Sequence, residues 1–256
     1  MAGPGCTLKE LKAGETTSIA SRLEMPGTLY IVGMPIGNPE DISLRALRIL
    51  RDASFVAVED GRSGKALLAR LGIVRDVVAY RRDTRLRIVA LLMGGADGAL
   101  IADVGTPLIA DPGASLIRMA IAAGIRIASV PGAVAAIAAL VSSGMGGGSF
   151  VFDGFPPRTP TERTAFFSRL TQETRTIVLY ERRMGLRGTL RDLARALGPA
   201  RPISISFNLT KPGETTLRTT LKQAILELTH IPMGEVALVI GASAMNTGES
   251  EERGGR

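Results

Sequence analysis

A chain of 256 residues, 45% hydrophobic and 21% charged, is long enough to bury the core of one large or two small domains. Its apolar runs are short and broken by Arg, Asp or Gly, so none approaches the roughly 20 apolar residues of a membrane-spanning helix. A single cysteine, Cys6, and a single histidine, His230, exclude an internal disulfide, a cysteine-based zinc cluster and a histidine-rich metal site. The net charge of +7 and the pI of about 10.2 rest mostly on arginine. Arginine forks match phosphate geometry, so a nucleic-acid partner competes evenly with a plain reading as solvated faces. With no Trp and three Tyr, binding of single strands mainly by base stacking is disfavoured.

Residues 1–25 carry Glu10, Glu15 and Glu24 and no long apolar core, so they read as a floppy extension rather than a secretory signal or an acid-poor transit peptide. With the single cysteine, this points to the cytoplasm. Residues 29–32 form an apolar, β-branched strand that runs into Gly33-Met34-Pro35-Ile36-Gly37. Asp41 or Ser43 caps a helix with Leu44, Leu47 and Leu50 on one face. Strand 55–58 follows, then a short helix over 65–71 stopped by Gly72. Strand 77–80, helix 86–93 and strand 100–102 come next. The second Gly/Pro-rich loop, Asp103 to Gly113, leads to a helix over 114–123, ended by Gly124. After strand 125–130, Pro131-Gly132 starts another helix. Strands separated by helices favour a parallel sheet covered on both faces.

The run Met145-Gly146-Gly147-Gly148-Ser149 is the best boundary in the chain. It divides an N-terminal α/β domain, residues 26–145, from a second one, residues 149–244. The second holds strands at 150–152, 176–180, 202–207, 215–219 and 235–240, with helices at 161–170, 186–197 and 221–228. Its strands follow one another closely, so some are antiparallel. His230 reads as a helix-end residue suited to the negative pole of the dipole. The polar, Gly-containing stretch 245–256 reads as a disordered tail.

Gly/Pro-rich loops at strand ends are where open α/β proteins bind ligands, and two of them suggest one cleft built from both. Pro35 removes an amide that would face a pyrophosphate, so the first loop is not a dinucleotide turn, and no Walker loop is present. Glu59-Asp60-Gly61-Arg62 at a strand end is either a polar cluster in a cleft or a local ion pair at a turn. Asp103 suits a ribose hydroxyl or an ammonium, whereas Asp111-Pro112-Gly113 equally suits a plain helix N-cap. Lys211 either contacts phosphate or polarises a hydroxyl, or is an ordinary exposed lysine. Arg81, Arg82, Arg85 and Arg87 form one basic cluster, and eight arginines from Arg158 to Arg191 spread through another region.

The two loops, together with Leu44-Arg45-Ala46-Leu47, Glu59-Asp60-x-Arg62, Val130-Pro131-Gly132, Phe152-Asp153-Gly154-Phe155, Pro157-Arg158, Tyr180-Glu181, Leu209-Thr210-Lys211 and Gly234-Glu235, resemble the tetrapyrrole-methylase superfamily. Within it they are most similar to the RsmI family, 16S rRNA (cytidine 2′-O)-methyltransferases. The resemblance is collinear over nearly all of residues 27–241. It implies two α/β domains, a mostly parallel sheet in the first and a mixed one in the second. It also implies S-adenosyl-L-methionine (SAM) in the cleft between them, a homodimer, 16S rRNA or the 30S subunit as partner, and no need for a metal. SAM is then expected near Pro35, Gly105, Thr106, Pro107, Ile109, Ala135, Tyr180, Gly234 and Glu235. Asp103, Glu59, Asp60, Arg62 and Lys211 become the catalytic candidates, and Arg81, Arg82, Arg158, Arg182 and Arg183 the RNA-gripping ones.

The chain departs from the family pattern in segments expected to face the substrate. Gly61 stands for a usual Thr, Arg81-Arg82-Asp83 for His-Asn-Glu, Arg182-Arg183-Met184 for Ser-Pro-His and Phe207-Asn208 for Arg-Glu, and a Ser near Val134 is replaced. Three readings follow. They are an rRNA methylase with a rebuilt substrate face, a methylase for a tetrapyrrole or another small molecule, and a non-catalytic SAM- or RNA-binding relative.

Overall fold

The computed structural model describes residues 25–146, 148–228 and 234–243; the N-terminal extension, the tail, Cys6 and His230 lie outside the described residues. The first half is a five-stranded parallel sheet of order β3-β2-β4-β1-β5. Its strands are β1 (Thr28–Val32), β2 (Phe55–Val58), β3 (Val77–Ala79), β4 (Gly98–Leu100) and β5 (Arg126–Val130). Both faces are covered because β1 and β2 are apolar at every other position on each side. Val32, Val56 and Val58 face α1 (Leu44–Asp52) and α2 (Gly61–Arg70). Leu29, Ile31, Phe55 and Ala57 face α3 (Arg85–Met93) and α4 (Ala114–Ala122).

The second half is a mixed sheet of order β6-β7-β10-β8-β9. Its strands are β6 (Phe150–Phe152), β7 (Thr176–Arg182), β8 (Pro202–Phe207), β9 (Thr215–Thr220) and β10 (Glu235–Ile240). Only the β6–β7 pair is parallel; the other three pairs are antiparallel. One face packs on α6 (Pro160–Leu170), α7 (Leu186–Leu197) and α8 (Leu221–Glu227). The other receives α5 (Ala135–Ser143), whose Ala136, Ala139 and Leu140 bury against Val178, Ala237 and Val239. Helix α5 precedes the glycine run in sequence, yet its apolar face belongs to the second sheet.

Several local expectations shift. Ser43 caps α1 through the Ala46 amide, but the buried face is Ala46, Ile49 and Leu50, and Leu44 is exposed. Helix α2 begins four residues before the expected start, because Asp60 accepts from the Ser63 amide and nucleates it there. Strand β4 sits two residues earlier than expected, with Gly98 pressed beneath the Phe55 ring. No helix follows Pro131-Gly132 directly: α5 starts at Ala135, behind an extended Val134. Asp111 is not a helix cap, since Gly113 holds that position for α4. Among the described residues no helix is long and apolar enough to cross a membrane.

Candidate active site

The loops after β1, β4 and β5 converge at the C-terminal edge of the parallel sheet, where the connection from β4 to β5 crosses over β1. Such a reversal opens a crevice. Here it is closed by backbone hydrogen bonds. Met34 N–H donates to Gly105 O (2.9 Å) and Gly105 N–H to Pro35 O (3.1 Å), so the two Gly/Pro loops pair with each other. Gly33 N–H donates to Val130 O (2.9 Å), and Thr106 Oγ1 donates to Ala133 O (3.0 Å), which adds the third loop. The approach is close enough to require glycine on both sides. A Cβ on Gly33 would lie 2.6 Å from the Gly132 backbone, and one on Gly132 would lie 2.5 Å from Gly33 O. Gly105 has φ 71°, and the same loop holds two non-glycine residues in the left-handed region, Leu108 (φ 74°) and Ala110 (φ 60°). Each such residue costs roughly 1–2 kcal/mol, and strained backbone of this kind gathers at ligand clamps.

The facing wall is made of side chains. Tyr180 on β7 accepts a hydrogen bond at its hydroxyl from the Ala136 amide (2.9 Å), one of the free N–H groups that open α5. Burial raises its pKa. Phe152 meets the Tyr180 ring edge-on with centroids 4.8 Å apart, and Phe155 lies tilted on it at 5.4 Å. The Arg182 guanidinium lies over the Phe155 ring, 4.5 Å from its centre. Behind them Glu181 is buried and accepts from the Arg182 amide (2.7 Å) and the Thr189 hydroxyl. Thr189 also accepts from Arg163 (2.8 Å), which pairs with Asp192 (2.7 Å). This network fixes the end of β7 against α7.

The β8–β9 loop joins the two walls. Thr210 Oγ1 accepts from the Asn38 amide (3.0 Å), and the stem of Lys211 lies against Gly37. Lys211 Nζ pairs with Glu235 (2.9 Å). Asn208 (φ 53°) and Thr210 (φ 62°) hold this loop in the left-handed region too.

Between the walls is a cavity of about 390 Å³. Gly105, Thr106, Ile109, Ala135, Tyr180, Gly234 and Glu235 line it, as do the exposed Arg182 and Arg183. Pro35 and Pro107 are not among its lining residues: the Pro35 carbonyl holds Gly105 in place, and Pro107 is buried. Arg81, Arg82 and Arg158 are exposed away from the lining. Asp111, Phe155, Ser206 and Ala237 line it without having been singled out as site residues. For Ser206 and Ala237 the available signal was strand alternation, which puts them on the face opposite Ile205 and Leu238.

None of the five catalytic candidates lines the cavity itself. Lys211 abuts it through Glu235. Asp60 is spent as the α2 cap, with its pKa lowered chiefly by the Ser63 amide, and Arg62 is exposed on α2. Asp103 accepts from the Ser63 hydroxyl (2.9 Å). Glu59, Asp103 and Asp111 surround Tyr80, whose hydroxyl donates to Pro112 O (2.9 Å). Desolvation first, and then these three carboxylates, push the Tyr80 pKa up to about 12. Asp111 is itself raised, by desolvation and then by Glu59 and Asp103. Among the described residues no cluster of His, Cys, Asp and Glu is arranged to hold a metal ion.

Residues 28–225 match the model of the tetrapyrrole (corrin/porphyrin) methylases. The chain is 44% identical over 203 residues to the ribosomal RNA small subunit methyltransferase I of Xylella fastidiosa (strain Temecula1), covering 78% of this chain and 74% of that one. It is 39% identical to the protein of the same name from Micromonospora olivasterospora, over 85% and 71% of the two chains. With the one from Mesorhizobium japonicum it shares 37% identity over 92% and 82%. Among solved structures, the uroporphyrin-III-C-methyltransferase of Thermus thermophilus superposes with a TM-score of 0.62 at 22% identity, over 84% of this chain and 94% of that one. The methyltransferase CobJ superposes with a TM-score of 0.64 at 18% identity, over 85% and 95%. Likeness at that identity speaks for the fold alone.

Proposed function

The chain belongs to the tetrapyrrole methylases and, within them, to the ribosomal RNA small subunit methyltransferase I family, and from that membership we propose that it methylates a cytidine ribose 2′-hydroxyl in 16S rRNA, using SAM. The observation that carries this reading is the two-walled cavity, one wall backbone and the other side chain, in a chain with this family's sequence.

The residues present suit SAM. A volume of about 390 Å³ falls in the range of small-molecule sites. Ile36, Val134, Leu209 and Val236 offer apolar walls to an adenine, while Asp111 and Glu235 offer negative charge to a ligand with a sulfonium and an ammonium. Gly105 and Gly234, both at positive φ, let backbone groups approach closely. When bound, SAM supplies a methyl group already activated by its sulfonium, so the protein needs chiefly to position the acceptor in line.

What remains for the chain is the proton of the ribose hydroxyl, a weak acid. Among the described residues three carboxylates line the cavity. Glu181 is engaged by the Arg182 amide and Thr189, and Glu235 by Lys211. Asp111 remains, and its raised pKa makes it the more basic carboxylate that proton acceptance favours. Glu59 and Asp103 act through it by holding negative charge nearby. Lys211 positions Glu235 and bridges the walls, Arg182 and Arg183 meet RNA at the mouth, and Arg81, Arg82 and Arg158 extend that basic surface. The family resemblance supports a cytoplasmic homodimer.

The test is transfer of labelled methyl from SAM to 30S subunits that lack the modification, with free SAM binding measured alongside. Label in 16S rRNA, lost steeply as salt rises, is the expected result. SAM binding with no transfer would leave a non-catalytic binding protein instead.

A further inference from the structure

The chain has ten Phe and Tyr and no Trp, yet three of those ten form one contiguous row of edge-on and tilted contacts that ends at the cavity. Phe152, Tyr180 and Phe155 follow in order, and the Arg182 guanidinium ends the row over Phe155. The row is rigid at its base. Tyr180 is tied to the α5 amide, and the Arg182 backbone is tied to buried Glu181. It is open at its tip, where Phe155 keeps 37% of its surface exposed and Arg182 reaches solvent. Phe155 and Arg182 both line the cavity, so the tip stands where an acceptor would enter.

Splayed nucleotides are recognised by stacking on aromatic rings or on arginine planes. An arginine held over a ring offers its guanidinium plane beside the aromatic face. We propose that Phe155 and Arg182 form the seat on which the base of the acceptor nucleotide stacks while its ribose reaches the cavity. This rests on the reading of the protein as an rRNA ribose methylase. A single seat is compatible with a chain too poor in aromatics to bind single strands mainly by stacking.

The test compares wild type with Phe155→Leu, Phe155→Tyr and Arg182→Lys, measuring SAM dissociation constants and steady-state transfer to undermethylated 30S subunits at several salt concentrations. Arg182→Lys keeps the charge on an exposed position and loses the plane. The seat requires kcat/KM to fall about tenfold in Phe155→Leu and Arg182→Lys, with SAM affinity within twofold of wild type and an unchanged salt slope for Arg182→Lys. Phe155→Tyr must restore activity. Wild-type kcat/KM in Arg182→Lys would make Arg182 a phosphate contact and overturn the seat. A matching loss of SAM affinity in Phe155→Leu would make Phe155 a cofactor wall and also overturn it. An inactive wild type on 30S would instead defeat the underlying reading, and the seat with it.

Discussion

The two walls of the cavity are built by different means. On the first, loops after β1, β4 and β5 hydrogen-bond to one another through Gly33, Met34, Pro35 and Gly105, and no ionised side chain takes part. On the second, Tyr180, Arg182 and Glu235 from strands of a mixed sheet, and Phe155 from the loop after β6, supply rings, charge and a hydroxyl. A backbone wall holds its shape regardless of which polar residues surround it. A side-chain wall can be rebuilt residue by residue, and the departures at Arg182-Arg183-Met184 lie there. The first wall thus gives a cofactor a fixed cradle, and the exposed tip of the second, at Phe155 and Arg182, can be fitted to a particular acceptor.

The largest expected effect comes from breaking the backbone wall. Gly33→Ala drives a methyl into the Gly132 backbone, which cannot rotate away. A loss of about 3 kcal/mol in denaturant unfolding is expected, as overpacking of a tight site costs, together with loss of SAM binding. Unchanged stability would show that the loops are not rigidly joined. Next is Asp111→Asn, which keeps shape and removes the base. kcat is expected to fall about 100-fold, well beyond the severalfold loss of SAM affinity that removing the Asp111 negative charge brings. A wild-type kcat would place the proton elsewhere.

Tyr180→Phe removes one hydrogen bond to the Ala136 amide where the two walls meet. A loss of about 1 kcal/mol is expected, with SAM binding weakened severalfold in calorimetry. The smallest effect concerns the acidic rim. The Tyr80 pKa is raised to about 12, so its neutral form is favoured by the fold. Its contribution to stability is complete below the unfolded value near 10, and fades as pH rises through about 12. An ultraviolet titration of the phenolates checks this. The double variant Glu59→Gln, Asp103→Asn is expected to lower the Tyr80 value, though not fully, because desolvation is the larger cause.

This contrast also explains what could be read beforehand. Gly33, Pro35, Gly105 and Gly113 announce their loops by composition, so the first wall and the parallel sheet were legible. Leu44 misled because apolar spacing says which residues share a face, not which face meets the sheet. Asp60 caps a helix and Asp111 lines the cavity instead of capping one: a carboxylate before a helix is a cap only if the chain turns there, and that depends on tertiary contacts. Phe155 and Ser206 reach the cavity from separate strands and loops of the second half, a convergence set by sheet order rather than by local pattern. The same holds for α5, apolar enough to pack anywhere, whose seat on the second sheet no periodicity reveals.

The most direct measurement is to recover 16S rRNA labelled by the protein from SAM, hydrolyse it with alkali and locate the label. A methylated 2′-hydroxyl blocks cleavage at its own phosphodiester, so the label is expected in an alkali-resistant dinucleotide whose 5′ residue is a cytidine. Label released in mononucleotides, or absent from 16S rRNA, would contradict the account.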